Sequence, residues 1–393
     1  MMIIKEIIIK FPALIIISIT ILLGYNASAS ANTLPTEILD YYSDSYNELR
    51  DKFLTAARLN GGRIENYRCP IDGPNAEALY IDVAYFGSNN PKSILVLGSG
   101  THGVEGFAGS AIQTGLLRQD IVSTLPPHVG LIMIHTINPY GIAHLRRVNE
   151  DNVDLNRNFL DHSKPHPFNK GYEYLANALA PQSLSLWNDT TSLTKLLFYR
   201  FLHGTSELHL AVSGGQYTHP KGLFYGGNSS TWSNKTVNKI VHRHLLKAKR
   251  VVLIDFHTGL GSYGNAEIIM NVNKNSPAYK RARKWWKDLV TSTVTGDSVS
   301  TQLSGTLKLA FDQMLPDSEV TAVSLEFGTL SRKKVLWALR SENWLYHYGG
   351  SEHQDSKKIK NNLLRAFYPD DKEWKLDIWQ QSEKIVKKVI DQL

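Results

Sequence analysis

The sequence predicts an α/β fold in which a mixed, largely parallel central sheet carries helices on both faces. Runs of β-forming residues alternate with stretches of helical periodicity, a pattern that favours one α/β architecture over separate all-α and all-β folds. Several predicted strands are almost continuously apolar, which is typical of strands covered on both faces. The chain has 393 residues, 42% hydrophobic and 10% aromatic, and can therefore bury a large core.

The N-terminal 31 residues have a different character from the rest of the chain. Lysines precede an uncharged run over residues 11–24, and small-residue cleavage sites end at Ala29 and Ala31. This order predicts a secretory signal peptide, because the uncharged run is short for a membrane span. We expect residues 32–393 to be a single domain, secreted or periplasmic, with no stable membrane insertion after cleavage.

The predicted elements follow one another with little linker sequence. Five strands are predicted, over Glu77–Gly87, Lys92–Gly98, Gly130–Asn138, Arg250–His257 and Val320–Gly328. Five helices are predicted, over Thr36–Leu59, Gly106–Arg118, Ser276–Val294, Arg332–Tyr348 and Trp374–Leu393. Residues 158–249 are polar and aromatic with scattered glycines, and we interpret them as an insertion-rich region of helices plus a long loop that shapes a cleft.

Charge and cysteine content narrow the function classes. The net charge of +7 is dispersed, and no dense Lys/Arg block indicates a nucleic acid partner. Cys69 is the only cysteine, so an internal disulfide and a cysteine-based structural metal site are excluded.

Three predicted strands end in residues that can bind a metal or transfer protons. His102 and Glu105 follow the second strand, His257 ends the fourth, and Glu326 lies near the end of the fifth. Ligands bind beyond the carboxyl ends of the strands in open α/β sheets, so distant groups can converge there. A lone His or Glu at a strand end is usually only solvated or hydrogen-bonded. Two imidazoles and a carboxylate together are typical of a catalytic zinc site, and a further glutamate can handle protons.

An ordered set of motifs resembles the zinc carboxypeptidase family. The family has H-x-x-E, N-P-x-G, D-x-N-R-N, a strand-end His and a strand-end Glu in this order. The matching residues here are His102-Gly-Val-Glu105, Asn138-Pro-Tyr-Gly141, Asp154-Leu-Asn156-Arg157-Asn158, His257 and Glu326. The similarity runs from about residue 93 to residue 329, and its phrases SGTHGVEGFAGSAIQ and DFHTGLG look closer to an uncharacterised bacterial branch than to the digestive enzymes.

The resemblance implies a role for each matching residue. His102, Glu105 and His257 would hold one Zn²⁺ per chain. Asp154 would orient the His102 ring and raise its basicity. Glu326 would be the general base for the zinc-bound water and then the acid for the leaving amine.

The same resemblance implies the substrate contacts. Asn156 and Arg157 would bind a substrate carboxylate, the arginine through a two-pronged fork. Arg147, or its neighbour Arg146, would polarise the scissile carbonyl and stabilise the oxyanion. The spacing from Arg147 to Asn156 is shorter than in the digestive enzymes, so the choice between the two arginines stays open.

Two departures from the family pattern leave the substrate open. The digestive enzymes have a mobile tyrosine before the catalytic glutamate, whereas residues 298–324 contain none here. Tyr217, Tyr225 and Tyr263 are the candidates to replace it, although ordinary packing is the simpler interpretation of each. In addition, Asp255-Phe-His257 resembles the deacylase branch of the superfamily, which cleaves N-acyl amino acids.

The sequence therefore predicts an exported zinc metallopeptidase that removes a C-terminal residue from a peptide or cell-wall peptide. A zinc deacylase acting on N-acyl amino acids is the alternative. A non-catalytic peptide or envelope binder is the third hypothesis, but such a protein would need neither the three ligands nor Glu326. A serine hydrolase is disfavoured because the chain contains no G-x-S-x-G elbow.

Overall fold

The computed structural model describes residues 36–393, so the predicted signal peptide lies outside the described residues. The helices are α1 (Thr36–Leu39), α2 (Tyr46–Leu59), α3 (Gly106–Arg118), α4 (Pro139–Ala143), α5 (Lys170–Leu179), α6 (Leu186–Ser213), α7 (Trp232–His244), α8 (Pro277–Trp286), α9 (Leu307–Met314), α10 (Arg332–Trp344), α11 (Ser356–Phe367) and α12 (Lys372–Ile390). The strands are β1 (Arg63–Arg68), β2 (Tyr80–Gly87), β3 (Ser93–Gly98), β4 (Val129–His135), β5 (Arg250–Tyr263), β6 (Ala266–Met270), β7 (Val290–Ser292) and β8 (Glu319–Gly328).

The strands of the described chain form one sheet in the order β1-β2-β4-β3-β5-β8-β6-β7. The central block β4-β3-β5-β8 is parallel throughout. Antiparallel pairs flank it, with β2 next to β4 on one side and β6 next to β8 on the other. The predicted mixed, largely parallel sheet is thus confirmed.

Successive residues of the central strands pack into separate hydrophobic layers, because side chains alternate between the two faces of a sheet. Leu95 and Leu97 of β3 belong to a core that includes side chains of α2, α3 and α12. Ile94 and Val96 belong to a second core with side chains of α7 and α9. Helices therefore cover both faces, as the apolar strands predicted.

All five predicted strands are present, but the sequence did not predict β1, β6 and β7. These three strands lie at or near the two edges of the sheet. The sequence of β1, RIENYR, is polar and at least partly exposed along its whole length. It lacks the apolar run that identifies a strand covered on both faces.

Two helix predictions were too long. The predicted helix over residues 36–59 is broken, and α2 starts anew at Ser45, whose hydroxyl accepts the Glu48 N–H at 3.3 Å. The predicted helix over residues 276–294 stops at Trp286, because Lys287 has φ +52°, and the chain then enters β7.

Residues 158–249 contain α5, α6 and α7, joined in part by a loop after Gly214. Gly204, with φ +87°, interrupts α6. A small core forms between α5 and α6. Within residues 36–393, no helix combines the length and the apolar character needed to cross a bilayer.

The strand order places a switch point at β3. The chain moves from β3 through α3 to β4 on one side, and later enters β5 on the other side of β3. Loops from neighbouring strands diverge at such a point and leave a crevice beyond the carboxyl ends. The residues that follow β3, β4, β5 and β8 therefore share one edge of the sheet.

We predict that Gly103→Ala destabilises the protein through the turn between β3 and α3. A Cβ at Gly103 would lie 2.2 Å from the main-chain oxygen of Arg146 and 2.2 Å from the carbonyl carbon of Gly141. Backbone atoms cannot move aside cheaply, so we expect a loss of about 3 kcal/mol in the free energy of unfolding, the upper end of the usual cost of overpacking, measured by denaturant titration.

Gly296→Ala is the control for this prediction. Gly296 has φ +75° and no neighbour within 4 Å of an added Cβ, so only backbone strain opposes that change. A Gly103→Ala protein as stable as Gly296→Ala would contradict the close packing of this turn.

Candidate active site

The turn GSGTHGVEG after β3 brings two candidate ligands to the switch point. Gly100 has φ +68°, a conformation that favours glycine. Glu105 precedes the first residue of α3, and its side chain makes no capping hydrogen bond to that helix. The carboxylate is therefore available to the site, where the positive end of the α3 dipole stabilises its charge.

His102, Glu105 and His257 form a buried cluster. His102 Nδ1 lies 2.8 Å from Glu105 Oε1, and His257 Nδ1 lies 3.0 Å from Glu105 Oε2. The main-chain N–H of Thr258 also donates to Glu105 Oε2, at 3.2 Å. The structure thus brings together the three residues that the sequence predicts as ligands.

A second carboxylate supports each imidazole from its far side. Asp154 Oδ1 lies 3.0 Å from His102 Nε2, and Asp255 Oδ2 lies 2.7 Å from His257 Nε2. Asp255 also accepts the Thr101 hydroxyl at 2.9 Å. Such carboxylate–imidazole contacts orient ligands in metal sites and raise their basicity.

Burial and charge act against each other in this cluster. Burial opposes ionisation of Glu105, but His102 and His257 outweigh it and hold the pKa of this carboxyl below its ordinary value. Burial likewise opposes the charged form of His257, whose pKa is nevertheless raised by Asp255 and Glu105. Glu105 therefore carries a negative charge between the two imidazoles, as a carboxylate that binds a metal ion must.

The donor set fits a metal ion. One nitrogen or carboxylate oxygen from each of His102, Glu105 and His257 lies within 4.8 Å of the others, and all three residues are buried. Binding through Nδ1 requires the tautomer with the proton on Nε2, and that proton faces Asp154 or Asp255. Two imidazoles and one carboxylate form the donor set of catalytic zinc sites with an open position.

Glu326 lies directly across from His257 in the pairing of β5 with β8. Its Oε1 accepts the Leu260 N–H at 2.9 Å, which fixes the carboxyl group. Burial, followed by the nearby charge of Glu105, raises the pKa of Glu326. The structure therefore places a buried carboxyl with proton affinity beside the ligand cluster, in the pocket wall.

The structure distinguishes the two neighbouring arginines. Arg147 lines the pocket and pairs with Asp154. Its Nη2 lies 2.8 Å from His102 Nε2. The tautomer of His102 therefore decides whether Nε2 donates a hydrogen bond to Asp154 or accepts one from Arg147. Arg146 instead donates to Glu342 Oε1 at 2.8 Å and stacks on Tyr346. Arg147 is thus the arginine that faces the site.

Arg157 and Asn156 also lie in the pocket wall. Arg157 donates to the main-chain oxygens of Asn156 and Ser213, at 2.9 and 2.6 Å, while its buried Nε has no partner. Asn156 Oδ1 accepts the Leu307 N–H at 2.9 Å and so holds the start of α9 against the site.

The pocket has a volume of about 120 Å³ and contains all of the predicted ligands together with Glu326. Tyr217, Tyr225 and Tyr263 do not line it. The Tyr217 hydroxyl donates to the main-chain oxygen of Arg157 at 2.7 Å, and the Tyr263 hydroxyl donates to Asp371 at 2.7 Å. The Tyr217 and Tyr263 hydroxyls are thus engaged in other contacts of the described chain.

Two features of the site were not predicted from the sequence. The contact of Asp255 with His257 is the first, although their spacing of two on one strand places both side chains on the same face. Lys308 is buried in the pocket wall, and no local pattern indicates this position.

Comparison with known proteins gives the family of the chain. It belongs to the family DUF2817, described as a protein of unknown function, whose profile matches residues 42–381. No curated protein matches the sequence.

Several solved structures are similar to this chain. Bovine thrombin-activatable fibrinolysis inhibitor, in complex with tick carboxypeptidase inhibitor, is 12% identical over 90% of this chain and 98% of its own, with a TM-score of 0.47. Carboxypeptidase A from Helicoverpa armigera is 14% identical over 84% of this chain and 75% of its own, with a TM-score of 0.45. An aspartoacylase family protein from Mesorhizobium loti is 14% identical over 73% of this chain and 67% of its own, with a TM-score of 0.36. The matches thus include a carboxypeptidase, the class that the motifs resemble.

We predict that the purified protein binds about one zinc ion per chain, and that His102→Ala and His257→Ala abolish this binding, because each removes one of three ligands. Metal analysis after zinc-replete purification and dialysis checks the stoichiometry. His242→Ala, which changes an exposed histidine of α7, should bind zinc as the wild type does. A metal-free wild type, or ligand variants that retain full zinc content, would contradict this assignment.

Proposed function

We propose that the protein hydrolyses an amide bond next to a free carboxylate, as a carboxypeptidase-like zinc enzyme. The observation that carries the proposal is the buried His102–Glu105–His257 cluster with Glu326 in the same pocket wall. Arginines 147 and 157 line that pocket as well, so one small volume holds metal ligands, a proton carrier and anion-binding groups.

A zinc ion held by His102, Glu105 and His257 would supply Lewis-acid activation of water and of the scissile carbonyl. Glu326 then performs the proton transfers. Its Oε1 is held by the Leu260 N–H, so Oε2 is the oxygen that takes a proton from the attacking water. The water oxygen bonds to the carbonyl carbon, the C–N bond breaks, and Glu326 returns the proton to the leaving nitrogen.

The arginines orient the substrate in this proposal. Arg147 carries its charge beside the ligand cluster, where it can stabilise negative charge that develops on the carbonyl oxygen. Arg157 has donors left after its two main-chain contacts, and its unpartnered Nε faces no acceptor of the described chain. These donors suit a substrate carboxylate, which accepts two N–H groups of a guanidinium at once.

A deacylase acting on N-acyl amino acids remains the second candidate. The pocket volume of about 120 Å³ suits a small substrate as well as a single terminal residue of a peptide. Both substrates present an amide next to a carboxylate, so the same residues serve either reaction. Hydrolysis rates on peptides and on N-acyl amino acids that release the same residue distinguish the two activities.

Export of the chain stays a prediction, which N-terminal sequencing of the natively produced protein tests.

We predict that Glu326→Gln retains zinc and the folded structure but loses turnover by roughly 10²- to 10⁴-fold, because general base catalysis contributes about that factor. Steady-state rates on any substrate cleaved by the wild type, with zinc content and Tm measured in parallel, provide the test. Glu352→Gln, at an exposed position, should leave the rate unchanged. Near-normal turnover by Glu326→Gln would overturn the proton-transfer role.

We predict that Arg157→Lys lowers kcat/KM on free-carboxylate substrates by roughly 10- to 150-fold, since a lysine cannot reproduce the two-pronged fork. Each substrate is compared with its C-terminal amide in wild type and variant. The acid-to-amide ratio, rather than the rate alone, reports carboxylate recognition, because a variant that only loosens the fold lowers both rates. A wild type that cleaves the free-carboxylate substrate and its C-terminal amide equally well would contradict this role of Arg157 and favour an endo-acting amidase.

A further inference from the structure

Lys308 is a charged residue in the pocket wall that the proposed reaction does not use. It is the second residue of α9, directly after Leu307, whose N–H is held by Asn156. Its relative exposure is only 8%. Its Nζ donates to the main-chain oxygen of Ile269 at 3.2 Å, and within the described residues it forms no ion pair. An ammonium group has three donors, so two of them are left for another partner.

Other unused polar atoms lie around the same pocket. The hydroxyl of Thr301 is buried without a hydrogen-bond partner, as is Nε of Arg157. Both residues line the pocket together with Lys308. Buried polar groups without partners cost free energy, so their presence on residues that line one small pocket indicates a ligand that satisfies them.

The charges of these groups indicate the ligand. Arg157 and Lys308 are buried cations in one pocket, close enough for each to act on the charge of the other. Glu326 and Asp255 also act on Lys308, but only from beyond ion-pair distance. Two separate cations match a ligand with two separate anionic groups. The walls beside Lys308 include Ile269 and Leu303, which suit the methylenes of a short side chain.

We propose that Lys308 binds the side-chain carboxylate of the substrate, so that the amino acid released by hydrolysis is glutamate or aspartate. This inference rests on the proposed function. The α-carboxylate of the released residue lies at Arg157, the side-chain carboxylate lies at Lys308, and the Thr301 hydroxyl donates to the latter. A C-terminal acidic residue of a peptide and an N-acylated acidic amino acid share this chemistry.

The protonation state of Lys308 agrees with this role. Burial lowers the pKa of Lys308 to about 8, and the ammonium form is therefore still the main one at neutral pH. A bound carboxylate would stabilise that form further.

The test compares substrates that differ only in the side-chain charge. Peptides ending in Glu or Gln, and N-acetylglutamate against N-acetylglutamine, are assayed with the zinc-loaded wild type, Lys308→Met and Lys308→Arg. We expect the wild type to favour the acidic member of each pair by roughly 10- to 150-fold in kcat/KM, the contribution of a charged hydrogen bond. In Lys308→Met the ratio should fall toward one, and Lys308→Arg should keep a preference for the acid. Lys388→Met removes an exposed lysine of α12 and should keep the wild-type ratio.

Two outcomes would overturn the inference. One is a wild type that uses Glu and Gln substrates equally, a result that does not require the variants to fold. The other is a Lys308→Met protein whose rates fall equally on both, which would assign Lys308 a purely structural role. Comparison of the peptide pair with the N-acetyl pair also shows whether the enzyme cleaves peptides or N-acylated amino acids.

Binding of the free amino acids separates this inference from the proposed function. Calorimetry with glutamate and glutamine on the zinc-loaded wild type and Lys308→Arg needs no turnover. Glutamate binding that exceeds glutamine binding, without cleavage of any amide, would support the Lys308 site and refute the hydrolase. Cleavage without preference for acidic residues would refute the Lys308 site alone.

Discussion

The Glu105 carboxylate lies between two imidazoles, and this contact joins the central strands β3 and β5 at their carboxyl ends. One oxygen faces His102, and the other faces His257 and also accepts the Thr258 N–H. Since both oxygens are engaged, the side chain has little freedom to rotate. The start of α3 is thereby fixed against β5, and contacts with one another hold the three candidate ligands in position.

This arrangement buries several charges, each of which would be costly alone. Asp154 pairs with Arg147 and contacts His102. Asp255 accepts a hydrogen bond from Thr101 and contacts His257. Buried ionic networks of this kind are often no more stabilising than well-packed hydrophobic side chains of similar volume. Stability therefore does not explain why the chain keeps them, whereas the proposed metal site would, because its imidazoles need carboxylates that orient them.

The sequence predicted the parts of the fold and site that depend on local patterns. The strands of the parallel block were predictable because a strand covered on both faces must be apolar throughout. The convergence of His102, Glu105 and His257 was predictable because they follow such strands in the order of the family that the motifs resemble, and their role as metal ligands stays a prediction. β1 was missed because an edge strand of mixed polarity resembles a loop. Lys308 was missed because its burial depends on the start of α9 packing against β6, a contact that no local pattern contains.

The pair Arg146–Arg147 shows why adjacent residues of one type could not be assigned from the sequence. Their main-chain oxygens accept the N–H groups of Val104 and Gly103, both at 3.0 Å, so the dipeptide braces the turn that carries the ligands. Their side chains then diverge, and Arg146 is held by Glu342, a residue 196 positions away in α10. That distant carboxylate decides which guanidinium is free to enter the pocket. The charge of the site is thus set partly outside it, since α10 holds one arginine in place and leaves Arg147 as the one beside the ligands.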